Sequence, residues 1–308
     1  MSNRMKNLDL SLAIRTTRDI YNRCRFDSLT GVYAKKKKSD GSTVTDIDPL
    51  VEHIVLEHLF KVIPEADAAV VREEASTESD PIEEIKKQKY LVTVDGIDGT
   101  GDFIRHFNRD ESNPKWLVGM TAVYKRKKDG TFRPKFAFAL QPSEKRLFVF
   151  AKKKSLLVAD PLGNAKLYPL HVENVSDSPM NGSIDVFLDK PECHWELRPH
   201  SVKYQTGPSG FNTASLAAAS APFEAHAGSS KINFTTFHYK LWDFGLWPVL
   251  KGAGFNTAQK GVNGLNAVTS LDLNWFGDDD KPPGKCNDTP LVISNVEDFD
   301  PLLVGANA

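Results

Sequence analysis

The hydrophobic rhythm of the chain changes several times, and each change predicts an element. Leu8, Leu10, Leu12, Ala13, Ile20 and Tyr21 recur at roughly helical spacing, predicting a first helix from about Leu8 to Cys24. The run Lys35-Lys36-Lys37-Lys38 and the Ser-Asp-Gly-Ser after it read as an exposed turn. Val51, Ile54, Val55, Leu56, Leu59 and Phe60 form a second apolar helical face. Asp48 is placed to cap it, Pro49 to open it and Pro64 to end it. From Ala68 the rhythm shortens to β-like runs at Ala69–Val71, Tyr90–Val94, Trp116–Tyr124, Phe136–Leu140 and Leu147–Ala151. A charged loop from Glu73 to Lys89 and a hairpin turn at Lys125–Gly130 separate some of them. This half predicts a largely antiparallel sheet carrying two helices.

The second half reads differently. Strand candidates lie at Ser183–Leu188, Val202–Tyr204 and Leu291–Ile293. A small-residue helix runs from Thr213 to about Ser220 behind the loop Gly207–Gly210, and a further helix carries Trp242–Leu250 and stops at Gly252. Lys152-Lys153-Lys154 and the turn Asp160–Asn164 mark a boundary, predicting an N-terminal α+β domain over 1–152 and a C-terminal α/β domain over 153–308.

Composition narrows the class. The 308 residues are 40% hydrophobic and 26% charged, with 20 Gly and 18 Pro, which excludes collagen-like and low-complexity chains. Thirty-nine basic residues against 40 acidic ones give no global electrostatic case for a nucleic acid polymer. Cys24, Cys193 and Cys286 are far apart and form no CxxC pair, so neither a disulfide framework nor a zinc site is signalled. No run of about 18 apolar residues and no apolar leader occurs, so no membrane association is expected. The expectation is a soluble, cytoplasmic protein.

The densest chemical signal is Val94-Asp95-Gly96-Ile97-Asp98-Gly99-Thr100-Gly101, directly after an apolar strand. Two carboxylates three residues apart in a glycine-rich turn, with a carbonyl between them, supply the hard oxygen donors that Mg²⁺ prefers. A helix starting near Thr100 would add backbone N–H groups for a phosphate. Taken alone, tandem Asp-Gly pairs read first as an ordinary strand-to-loop junction. Three further segments change the weighting: Val71-Arg72-Glu73-Glu74, Val44-Thr45-Asp46-Ile47-Asp48 and Leu241-Trp242-Asp243-Phe244-Gly245.

In this order and spacing the segments resemble the inositol monophosphatase family of magnesium-dependent, lithium-sensitive phosphatases, which includes fructose bisphosphatases and 3'(2'),5'-bisphosphate nucleotidases. The resemblance spans roughly residues 8 to 265 and implies an alternating αβαβα layered sandwich, a cytoplasmic homodimer and a site holding two or three Mg²⁺ ions. Carried over by position, it implies Glu73, Asp95 and the Ile97 carbonyl as ligands of one ion, with Glu74 the less favoured alternative to Glu73. Asp95, Asp98 and Asp243 would hold a second. Gly99 and Thr100 N–H groups would bind phosphate, Asp48 with the Thr100 hydroxyl would activate the attacking water, and Ser209 and Gly210 would touch the substrate. The implied partner is a small phosphorylated substrate.

Departures from the family pattern bear on substrate. Gly96 replaces the usual proline and is expected to loosen the loop. Thr236 stands where inositol-specific relatives place a glutamate seven residues before Asp243. Thr100-Gly101-Asp102-Phe103-Ile104 resembles the bisphosphate nucleotidase branch, so that activity is an alternative, as is a non-catalytic metal- or phosphate-binding member of the fold. Arg105, His106 and Arg109 form a basic cluster placed to meet a second phosphate.

Overall fold

The apolar runs of the first half become strands of one sheet covered on both faces, which is why they read as continuous rather than alternating. The computed structural model describes residues 8–26, 29, 36–37, 43–74, 81–108, 115–172, 184–188, 196–197, 202–206, 209–219, 232–237, 240–261, 264–276, 291–294 and 303–304. The helices among them are α1 (Leu10–Cys24), α2 (Ile47–Leu59), α3 (Ile82–Lys87), α4 (Thr100–Phe107), α5 (Ser209–Ala219) and α6 (Trp247–Ala253). β1 (Lys36–Lys37) pairs with β2 (Thr43–Val44) as a short ribbon. The main sheet holds seven strands in chain order: β3 (Ala68–Arg72), β4 (Tyr90–Asp98), β5 (Leu117–Arg126), β6 (Phe132–Gln141), β7 (Arg146–Ala151), β8 (Lys154–Ala159) and β9 (Lys166–Pro169). β3 and β4 are parallel; every later pair is antiparallel.

Beyond it lie β10 (Ile184–Leu188), β11 (Glu196–Leu197), β12 (Val202–Thr206), β13 (Ile232–Phe237), β14 (Asn256–Gly261), β15 (Gly264–Ala267), β16 (Leu291–Ser294) and β17 (Leu303–Val304). Six of these form a second sheet in the order β12-β10-β13-β16-β14-β15, and β11 pairs with β17.

α1 and α2 cover one face of the main sheet, packing Leu12, Ile20, Val51 and Val55 against Val92, Val94, Val118 and Phe138. On the other face Leu91, Met120, Tyr124 and Phe148 meet Ala214 of α5, Leu250 of α6, and Trp242 and Phe244 of a 3-10 turn, Leu241–Gly245. Each such side chain, fully buried, is worth about 1.5–3 kcal/mol. α5 also lies against β10 and β13, so the described layers run helix, sheet, helix, sheet. This is the alternating α+β sandwich expected from the sequence.

Several local expectations are corrected. α2 begins at Ile47 with Asp46 in the cap position, so Asp48 lies inside the first turn. Its carboxylate is drawn to tertiary partners instead of capping its own helix. The Trp242–Leu250 segment divides into the 3-10 turn and α6, which opens with Pro248 in its first turn and ends at Gly254 with φ 104°. Within the charged Glu73–Lys89 loop, α3 forms with Glu83–Lys86 and Glu84–Lys87 ion pairs along its exposed side. Lys152 and Lys153, at φ 51° and 65°, make the turn between β7 and β8, and the main sheet continues to Pro169. The sequence boundary at 152/153 falls on that turn.

Candidate metal centre

Alternation along β4 turns Asp95 to the same face as Leu91, the face on which the Leu241–Gly245 turn packs. Two contacts press that turn onto the sheet. The Tyr124 hydroxyl donates to the Phe244 carbonyl at 2.7 Å, and a Cβ on Gly245 would fall 2.5 Å from Met120 Cγ. Glycine is required there by close approach. One carboxylate oxygen from each of Asp95, Asp98 and Asp243 consequently lies within 4.8 Å of the others. Asp243 is held from behind by the Lys240 N–H, which donates to its Oδ2 at 3.0 Å.

Glu73 follows β3 directly. Its N–H donates to the Val94 carbonyl at 3.2 Å, extending the pairing with β4, and its carboxyl group hydrogen-bonds Asp95. The Glu74 backbone N–H donates to Glu52 Oε1 at 3.1 Å. The bond to Asp95 brings Glu73 to the cluster.

Asp48 lies buried beside the loop that follows β4. Its Oδ2 accepts from the Thr45 N–H at 3.0 Å and from the Thr45 hydroxyl, and its Oδ1 accepts from Thr100 Oγ1 at 2.8 Å. Thr100 Oγ1 also lies 2.9 Å from the Ile97 carbonyl. Gly99, at φ 85°, turns the chain from β4 into α4 through a conformation that costs glycine little, leaving the first N–H groups of α4 beside the carboxylates. Four segments far apart in sequence thus meet at one end of β4.

Burial raises the Asp95 carboxyl well above the usual range, reinforced by the nearby charges of Glu73, Asp98 and Asp243. Its Oδ1 is buried with no hydrogen-bond partner. An orphaned buried carboxylate oxygen beside three like-charged neighbours is costly unless a cation satisfies it. Carboxylates and a carbonyl are the donors a hard divalent cation takes, so this residue set fits one. Burial likewise raises Asp48, although its bonds from Thr45 and Thr100 oppose the shift.

Glu52 gave no signal in the sequence. It stands four residues after Asp48 on the same side of α2, is 1% exposed, and burial raises its pKa from 4.5 to about 8. The sign of the linked effect follows directly. Between about pH 4.5 and 8 the folded chain holds a proton that the unfolded chain has lost, so stability falls as pH rises through that window. In the cation-free protein the melting temperature is therefore expected to fall from pH 5 to pH 8. Added Mg²⁺ should raise it more at pH 8 than at pH 6, because the cation competes with protons on the Asp95 cluster. Scanning fluorimetry across pH checks both; a melting temperature that climbs steadily to pH 8 without cation contradicts them.

The inositol monophosphatase family model matches residues 2–256. The chain belongs to the inositol monophosphatase family. That family consists of metal-dependent phosphatases. No curated protein matches the chain by sequence. Among solved structures, Thermotoga maritima IMPase superimposes with a TM-score of 0.53 at 12% identity over 93% of this chain and 91% of its own. The extragenic suppressor protein suhB from Bartonella henselae gives 0.50 at 16% identity over 95% and 94%. An IMPase/NADP phosphatase complexed with NADP and Ca²⁺ gives 0.56 at 13% identity over 92% and 89%. At these identities the likeness is one of fold.

Of the other expected residues, Ser209 and Gly210 open α5, which packs beside β4 and the Asp243 turn; their side chains lie outside the described residues, as does that of Thr236 on β13. Arg105 forms an ion pair with Asp102 on α4, while Arg109, Cys193 and Cys286 lie outside the described residues. His58 bonds Asp19 at 3.0 Å and His53 reaches Glu57 at 3.7 Å, both away from the cluster. Among the described residues no helix is long and apolar enough to cross a membrane.

Proposed function

We propose that the protein hydrolyses a small phosphate monoester at this cluster by direct attack of water, with Mg²⁺ as the cofactor. The observation that carries the reading is the convergence of Asp95, Asp98 and Asp243 oxygens within 4.8 Å, with the Asp48–Thr100 hydrogen bond beside them. Glu73, Asp95 and the Ile97 carbonyl would hold one ion, and Asp95, Asp98 and Asp243 another. Bound there, the ions supply positive charge that acidifies a water and offsets the charge of the phosphoryl group and the departing alkoxide.

The chain's own residues do the rest. Gly99 and Thr100 N–H groups, at the positive end of α4, hold phosphoryl oxygens. The Thr100 hydroxyl, donating to Asp48, keeps its lone pairs turned outward to accept a proton from the water as its own passes to Asp48. A carboxylate whose affinity for protons is raised by burial is suited to that receipt. The ester P–O bond breaks, the departing alkoxide takes a proton from solvent water, and Asp48 returns its proton to solvent, so that no net proton is left on the protein. A cysteine or histidine nucleophile is not needed.

Thr236 in place of a glutamate and the Phe103-Ile104 continuation of the loop favour a nucleotide-type substrate as the second reading. The test is release of inorganic phosphate from a panel containing inositol monophosphate, fructose bisphosphate, NADP and a 3'-phosphoadenosine 5'-phosphate. Turnover of at least one ester is expected with Mg²⁺, and none after chelation. Phosphate release undiminished by chelation, or absent from the whole panel with Mg²⁺, contradicts the proposal.

A further inference from the structure

One buried acid takes no part in the mechanism above. Glu52 lies one turn after Asp48 on α2, and its Oε1 accepts the Glu74 N–H at 3.1 Å across 22 residues of chain. Its Oε2 is buried without a hydrogen-bond partner. A carboxyl group removed from water at that cost persists where the structure uses it. The bond it makes closes the end of β3 at the residue where the chain leaves the sheet. On one side of Glu73 its own N–H is fixed to Val94; on the other, the Glu74 N–H is fixed to Glu52. Glu73 is thereby clamped at both flanking peptides while its carboxyl group reaches Asp95.

We propose that Glu52 is a positioning residue for the metal centre: it clamps the Glu73–Glu74 peptide to α2, so that Glu73 is presented to Asp95 at fixed distance from Asp48 four residues earlier on the same helix. The inference rests on the cation-binding reading of the cluster. It makes α2 a shared frame, with the proton acceptor and the clamp one helical turn apart. Ligands set in advance bind a cation more tightly, since no loop has to be ordered on binding.

The test is calorimetric titration of the chelator-treated full chain with Mn²⁺, comparing wild type, Glu52→Gln and Glu52→Met. Gln retains a carbonyl acceptor for the Glu74 N–H and should bind within about threefold of wild type. Met matches the size but accepts no such bond, and should bind about tenfold or more weakly, the scale typical of lost supporting contacts, at temperatures well below its melting transition. Equal affinity of the Met variant and wild type, or equal losses in Gln and Met, overturns the inference. Absence of Mn²⁺ binding by wild type overturns the underlying metal-centre reading instead. Should the Met variant fail to fold, hydrogen exchange at the Glu74 amide decides. Protection in wild type and in Glu52→Gln supports the clamp; fast exchange in wild type removes it.

Discussion

Asp95→Asn is expected to lower kcat by roughly four orders of magnitude, about 5–6 kcal/mol of transition-state stabilisation. Asp95 occupies the centre of the cluster: Glu73 bonds it, Asp98 and Asp243 crowd it, and its Oδ1 has no hydrogen-bond partner. Asparagine keeps the volume and removes the charge, so the fold should survive while the anchor for the cations is lost. Relief of like-charge crowding adds an opposite effect. The cation-free variant should melt no lower than cation-free wild type, while the rise in melting temperature on adding Mg²⁺ should vanish. Steady-state kinetics at saturating Mg²⁺ with paired melting curves read both effects. Turnover within tenfold of wild type would contradict the role given to Asp95.

The second large effect comes from adding one carbon. A Cβ at position 96 would lie 2.2 Å from the Asp48 carbonyl oxygen and within 2.9 Å of its backbone carbon atoms. Backbone atoms cannot rotate aside, so the first turn of α2 must retreat, taking the Asp48 carboxylate from Thr100. The structure therefore corrects the expectation that this glycine simply loosens the loop: it permits a close approach that any side chain forbids. Gly96→Ala is expected to lower kcat about 100-fold, because an ångström of misplacement in a reacting group costs that much, and to destabilise the fold by about 1–3 kcal/mol. Gly96→Pro, which restores the family's residue, should do no better, since proline also carries a Cβ. Full activity in either variant would contradict the close packing of α2 on this loop.

Much of this centre was legible in the sequence, because its segments carry local signals. A buried central strand is an unbroken apolar run, and Asp95-Gly96-Ile97-Asp98-Gly99-Thr100 follows one directly. The contributions that escaped are those decided by distant partners. From spacing alone Asp48 reads as a helix cap; its pairing with Thr100, 52 residues later, enters only through the family resemblance, and the fold bonds the two. Glu52 carries no signal in the sequence because its partner is an amide 22 residues away. α3 was missed because Ile85 is its single fully buried residue and leaves no apolar stripe. β8 and β9 were missed for the converse reason: they lie towards an edge of the sheet, where lysines face water and the strand pattern fades. The close approach at Gly96 is a matter of tenths of an ångström between two backbones, which no spacing of residues encodes.

The account depends on cations occupying the space between the carboxylates. Crystals grown with Mn²⁺, examined by anomalous diffraction, test this most directly. The predicted result is at least one strong anomalous peak within coordinating distance of Asp95 and also of Asp98 or Asp243, abolished in Asp95→Asn. An empty cluster at millimolar Mn²⁺, with the Asp95, Asp98 and Asp243 oxygens still within 4.8 Å of one another, would contradict it.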